Sequence, residues 1–208
     1  MMKKLLTTVA VLGCAAVVTA QTVTSQNIVG YTKVTASAGA LELVALNFDT
    51  GGLTVGELIG DQLPGSSVVH LWDKTSRTYI TCNKGRAGWD PNPVVNMGDA
   101  LWLDAGSGVN EVILSGEVLT ADTNTVAMVT GVDALGFYYP VETLFSTTTL
   151  DDAAPGSSVL HVWNGASYDT FNKGRAGWDG DPTIGVADGF WLDTPSDFTW
   201  NQPRPFTP

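Results

Sequence analysis

The side chains best suited to recognition chemistry occur in this chain twice, in the same order. The octapeptide NKGRAGWD runs from Asn83 to Asp90 and recurs unchanged from Asn172 to Asp179. An indole face stacks on a sugar ring, while a carboxamide and a carboxylate hydrogen-bond to its hydroxyls. Asn83, Arg86, Trp89 and Asp90, with Asn172, Arg175, Trp178 and Asp179, are therefore the candidate ligand-binding residues. The competing reading is a self-satisfied turn. Gly85 and Gly88, like Gly174 and Gly177, permit tight backbone, and Arg86 can pair with Asp90 or lie over an indole. Aromatic anchors are common where cores are small, and the turn is the favoured reading.

Other reactive groups lack the company that catalysis needs. Acids duplicate at Asp90 and Asp179, Asp99 and Asp188, and Asp104 and Asp193. Paired carboxylates can hydrolyse glycosides, but a duplication would require two such sites, and acids at strand ends commonly bond nearby backbone. His70 and His161 are the only histidines, with no HxH or HxxxH spacing for a metal and no GxSxG nucleophile to activate. Cys82 is replaced by Phe171 in the second copy, so it reads as a small buried residue. Asp179-Gly180-Asp181 has the look of a calcium loop, yet the first copy has Asp90-Pro91-Asn92 there and no EF-hand pattern follows. The expectation is a non-enzyme with no catalytic residue, no metal ligand and no cofactor, structural calcium being the one group left open.

The elements around each octapeptide repeat as well. PGSSVVHLW (Pro64 to Trp72) or PGSSVLHVW (Pro155 to Trp163) precedes it, and DALWLD (Asp99 to Asp104) or DGFWLD (Asp188 to Asp193) follows. Period-two alternation puts Val68, His70 and Trp72 on one strand face, with Val69 and Leu71 on the other. The hairpin after Trp163 is shorter than the one after Trp72, and register returns by the octapeptide. Hairpin tips tolerate such an indel. Further strands are expected over 27–34, 41–48, 100–103, 110–118, 125–130 and 136–141, and Gly56 and Gly60 limit any helix over 53–63. These features give an all-β fold: two tandem homologous small β-barrel or β-sandwich units with few short helical turns. Unit 1 spans 27–116 and unit 2 spans 117–208; the alternative is one sheet shared by both.

This order of motifs resembles a class of secreted bacterial β-repeat modules of uncharacterised function. The residues that carry it are Leu43-Val44-Ala45-Leu46-Asn47, then Val69-His70-Leu71-Trp72-Asp73, then Gly98-Asp99-Ala100-Leu101-Trp102-Leu103. The second copy supplies His161-Val162-Trp163-Asn164 and Asp188-Gly189-Phe190-Trp191-Leu192, and departs from the pattern at Phe137-Tyr138-Tyr139-Pro140. The resemblance implies export and a β fold, and it carries no catalytic residue.

Composition bounds the rest. The chain is 44% hydrophobic, 15% charged and holds seven tryptophans, which places it among ordered globular proteins. Its formal net charge of −11 repels phosphate backbones and anionic lipid heads, excluding nucleic acid as a partner. Met1 to Ala20 has a basic start, an apolar run and a Val18-Thr19-Ala20 cleavage site, the pattern of a signal peptide. A rival reading lipidates Cys14 within Val11-Leu12-Gly13-Cys14. Residues 21–26 form a polar lead. No later stretch has the length and hydropathy of a spanning helix. The reading is an exported, non-catalytic structural or interaction protein of the envelope or extracellular space, with a protein or glycan partner. The alternative is a glycan-binding module using the two NKGRAGWD loops.

Overall fold

The computed structural model describes residues 28–207, so the expected signal peptide and polar lead lie outside the described residues. The first half holds β1 (Val29–Ser37), β2 (Leu41–Ala45), α1 (Val55–Leu58), β3 (Val68–Asp73), β4 (Thr78–Gly85), β5 (Gly88–Asp90), β6 (Ala100–Asp104) and β7 (Val109–Glu117). The second half holds β8 (Thr123–Met128), β9 (Gly131–Leu135), β10 (Thr143–Leu144), α2 (Thr149–Ala153) and β11 (Val159–Trp163). It continues with β12 (Tyr168–Gly174), β13 (Gly177–Trp178), β14 (Thr183–Ile184), β15 (Phe190–Thr194) and β16 (Phe198–Pro203). The protein is all-β with short helical turns.

Alternation explains the strands and their facing. In β3, Val69 and Leu71 are buried, while His70 and Trp72 face the opposite side and stay partly exposed. The short α1 is set by a capping box: Glu57 N donates to Thr54 Oγ1 at 3.3 Å, and Thr54 N donates to Glu57 Oε2 at 2.9 Å. The helix runs only to Leu58, passing into a 3₁₀ turn over Gly60–Gln62.

All strand pairs are antiparallel, and the two halves use the same plan. A five-stranded sheet in the order β2-β6-β3-β4-β5 is matched by β9-β15-β11-β12-β13. A two-stranded ribbon, β1-β7, is matched by β16-β8, and β10-β14 is an extra short pair. One core gathers Leu46, Val55, Val69, Leu101 and Leu114; another gathers Leu135, Phe137, Leu160, Phe190 and Trp200. The sheets are open, so the barrel form of the sequence expectation is not met.

The two halves meet at the edges of β2 and β9. Isolated antiparallel bridges join Val44 to Asp188 and Asp99 to Leu135, which links the sheets without making them one. Gly136 sits in this junction, where an added Cβ would lie 2.1 Å from the Cβ of Ala45. β9 ends at Leu135, just before this close approach, and the strand expected over 136–141 is absent. The expected octapeptide loop is also corrected. Asn83 pairs with Asp90, Lys84 with Trp89 and Gly85 with Gly88, making it a tight hairpin.

Candidate functional site

Each octapeptide hairpin grips the end of a helical turn. Arg86 and Ala87 form the turn between β4 and β5, and Gly88 takes a φ of 106 that few side chains tolerate. Lys84 and Trp89 stand opposite one another, with the ammonium 5.9 Å from the indole centroid. Lys84 Nζ donates to the carbonyls of Gly60 (2.8 Å) and Leu63 (2.6 Å) and to Asp61 Oδ1 (2.9 Å). Trp89 Nε1 donates to the same Gly60 carbonyl at 3.2 Å, and its ring is only 8% exposed. Carbonyls at a helix C-terminus lack intrahelical donors and carry partial negative charge, so a lysine there is favourable twice over.

The second copy repeats the arrangement on α2. Lys173 Nζ donates to the carbonyls of Asp151, Asp152 (3.2 Å) and Ala154 (2.8 Å). Trp178 Nε1 donates to the Asp151 carbonyl at 3.1 Å, with Lys173 5.9 Å from its ring. Trp178 is partly exposed and packs edge-on against Phe145, the ring centroids 5.0 Å apart.

The other candidate residues sit on the outer side of the hairpins. Arg86 and Arg175 are exposed at the tips, and among the described residues neither guanidinium has a hydrogen-bond or ion-pair partner. Asn172 donates from its backbone (2.7 Å) and its carboxamide (3.0 Å) to Asp179, whose carboxyl these bonds hold below the usual range. An open groove of about 680 Å³ runs beside this hairpin, and Asn172, Arg175, Trp178 and Asp179 all line it. The groove beside the first hairpin is about 340 Å³ and includes Lys84 and Trp89 but not Arg86 or Asp90. The structure thus brings the four second-copy residues to one surface, while in the first copy the indole faces inward.

The largest aromatic assembly lies elsewhere, at the junction of the halves. Trp72 packs edge-on to Trp191 at 4.9 Å, and Trp102 packs edge-on to Trp163 at 5.1 Å, so each half offers the same two indoles to the other. Tyr79 and Tyr168 border this seam, 44% and 40% exposed, and Trp102 Nε1 donates to the Tyr79 hydroxyl at 3.1 Å. The sequence paired these tryptophans by position but carried no sign that they meet across the halves. Asn47, 2% exposed, also spans the seam: its Nδ2 donates to the Phe137 carbonyl and its Oδ1 accepts from Ala187 N at 2.6 Å.

The remaining reactive groups are engaged locally. His70 shares a hydrogen bond with Thr81 at 3.0 Å, and His161 with Thr170 at 2.9 Å, each across its own hairpin. Asp99 accepts from Asn96 N at 2.9 Å and pairs with Lys74 at 3.1 Å; Asp188 accepts from Gly185 N at 2.8 Å. Burial pushes the Cys82 thiol up to about 11, which keeps it protonated and poorly nucleophilic at neutral pH. In the stretch singled out for calcium, Asp181 accepts from Ser146 N (2.8 Å) and Oγ (2.7 Å). Among the described residues, no three His, Cys, Asp or Glu side chains cluster to hold a metal, and no helix is long and apolar enough to cross a membrane. Comparison with family models, curated proteins and solved structures gives no match for this chain.

Proposed function

We propose that this chain is an exported, non-catalytic interaction or structural protein built from two tandem homologous β units, of the secreted repeat kind its motifs resemble. The reading rests chiefly on where the duplicated lysine–tryptophan pairs are engaged. Both lysines and both indole N–H groups donate to carbonyls at helix ends, so the octapeptide acts as a clasp. The duplicated histidines support it too, as do Asp99, Asp179 and Asp188, each bonded within its own hairpin or turn.

A second reading, glycan binding, is favoured by one observation, the groove beside Asn172, Arg175, Trp178 and Asp179. The two readings part on Arg175→Ala with Asp179→Ala, Trp89→Phe and a glycan array. The clasp reading expects Trp89→Phe to lower Tm, wild type to retain no glycan, and the fluorescence lost on Trp89→Phe to be the part that resists acrylamide quenching. A glycan retained by wild type and lost by the Arg175/Asp179 double variant, at unchanged Tm, overturns it in favour of the second.

A further inference from the structure

Among the described residues, the ribbon of β1 and β7 is partly covered on its β7 edge and has no backbone partner along its β1 edge. Ala38 N donates to Gly108 O at 2.8 Å and Val118 N to Ile28 O at 2.7 Å, which fixes the even-numbered residues of β1 as those bonded to β7. The N–H and C=O groups of Val29, Tyr31, Lys33 and Thr35 therefore point away from β7, along the outer edge of β1. On the other side of the ribbon, two of the outward-facing residues of β7, Ile113 and Glu117, are covered. Ile113 N donates to Gln62 Oε1 (2.7 Å), Gln62 Nε2 donates to Ile113 O (3.1 Å), and Glu117 exchanges backbone bonds with Asp49 (2.7 and 2.9 Å). Among the described residues β1 has no strand partner but β7.

Proteins usually defend such an edge with a charge, a proline or a bulge. The only charge on β1 is Lys33, and its ammonium is drawn back across the ribbon to Glu111 at 2.7 Å. The side chains over the edge include Val29 and Tyr31, each 71% exposed, with Ile113 of β7 beside Lys33 and 41% exposed. The corresponding edge of β8 is shorter and carries Thr123, Thr125 and Ala127.

We propose that the outer edge of β1 is an interface for a second copy of this chain, paired antiparallel about the point between Tyr31 and Lys33. In this register Tyr31 faces the partner's Lys33 and Val29 faces the partner's Thr35, giving about eight new backbone hydrogen bonds, two per facing pair. Charge selects it over its neighbour. Centring the pairing on Lys33 would set two ammonium groups opposite one another, whereas here each Lys33 lies between its own Glu111 and an aromatic ring. The product is a four-stranded sheet, β7-β1-β1-β7, whose new edges are covered at Ile113 by Gln62 and at Glu117 by Asp49.

Sedimentation velocity over a concentration series tests this, with wild type, Tyr31→Pro and Tyr31→Lys. Tyr31→Pro removes an N–H that faces away from β7, and Tyr31→Lys sets like charges opposite in the new register without touching the backbone. Wild type is expected to dimerise with rising concentration, and each variant to weaken the dimer at least tenfold with unchanged circular dichroism. The Tyr31→Lys defect is expected to shrink in high salt. A wild type that stays monomeric up to about 1 mM overturns the proposal, as does a dimer that both variants leave intact. If Tyr31→Pro disturbs the fold, Tyr31→Lys and its salt response decide alone.

Discussion

Lys84 and Arg86 sit two positions apart in the same hairpin, yet their surroundings assign them opposite weights. The Lys84 side chain is 9% exposed and supplies the one donor to the Leu63 carbonyl among the described residues, and shares the Gly60 carbonyl with Trp89 Nε1, whereas Arg86 projects from the tip. Removing a buried donor leaves its acceptors unsatisfied, which costs more than the bonds themselves contributed. Lys84→Met is expected to destabilise by about 2 kcal/mol in urea unfolding. Arg86→Ala is expected to change stability by less than about 0.5 kcal/mol. The lysine was visible in the sequence, but its role was not. Its acceptors lie some twenty residues upstream, and only the fold brings helix end and hairpin together.

Between corresponding elements, small substitutions decide which bonds survive the duplication. Ser67 and Ser158 are both fully buried at the start of equivalent strands. Ser67 Oγ accepts from Gly106 N at 2.9 Å, but the matching position after β15 is Pro195, which has no N–H. Ser158 Oγ is accordingly left with no partner in the protein. Ser67→Ala is therefore expected to cost about 1–2 kcal/mol. Ser158→Ala is expected to be neutral or slightly stabilising, the comparison being read from thermal unfolding of the two variants side by side. The hairpin indel has a similar effect. The longer β3–β4 tip carries Arg77, whose guanidinium reaches the carbonyl of Thr130 in the other half, and the shorter β11–β12 tip has no counterpart. Strand existence was legible at this scale because alternation marks a strand locally, as in Val69 and Leu71. The end of β9 was not, because the apolar and aromatic run over 136–141 has the composition of a strand yet pairs with none among the described residues.

Across the whole molecule, the junction of the halves holds acids in unfavourable surroundings. Burial raises the carboxyl of Asp133 above its ordinary range, against the pull of the Trp72 N–H and of Arg77 and Lys74. Burial also raises Glu42, with Asp188 adding repulsion. A carboxyl whose folded pKa exceeds its unfolded one gives its full stabilisation below the unfolded value and loses it as pH rises through the folded value. Asp133→Asn, which stays neutral, is expected to raise Tm at pH 7 and to make little difference in acid, as a pH series of melts would read. The duplication and the all-β class were legible from the sequence alone. The seam was not, since tryptophans at matched positions do not say whether their rings pack within a half or across it.

That seam has a further consequence. Trp191 belongs to the second half but is roofed by Trp72 of the first, and Trp102 of the first is roofed by Trp163 of the second. Neither half can melt without stripping the other of its indole cover and of the Asn47 bonds that cross between them. In repeat arrays, nearest-neighbour coupling of this kind decides whether modules come apart singly or together. The two copies of one motif are therefore expected to unfold together, in one transition whose calorimetric and van't Hoff enthalpies agree. The duplication would then have doubled the chain without giving it two independent fates.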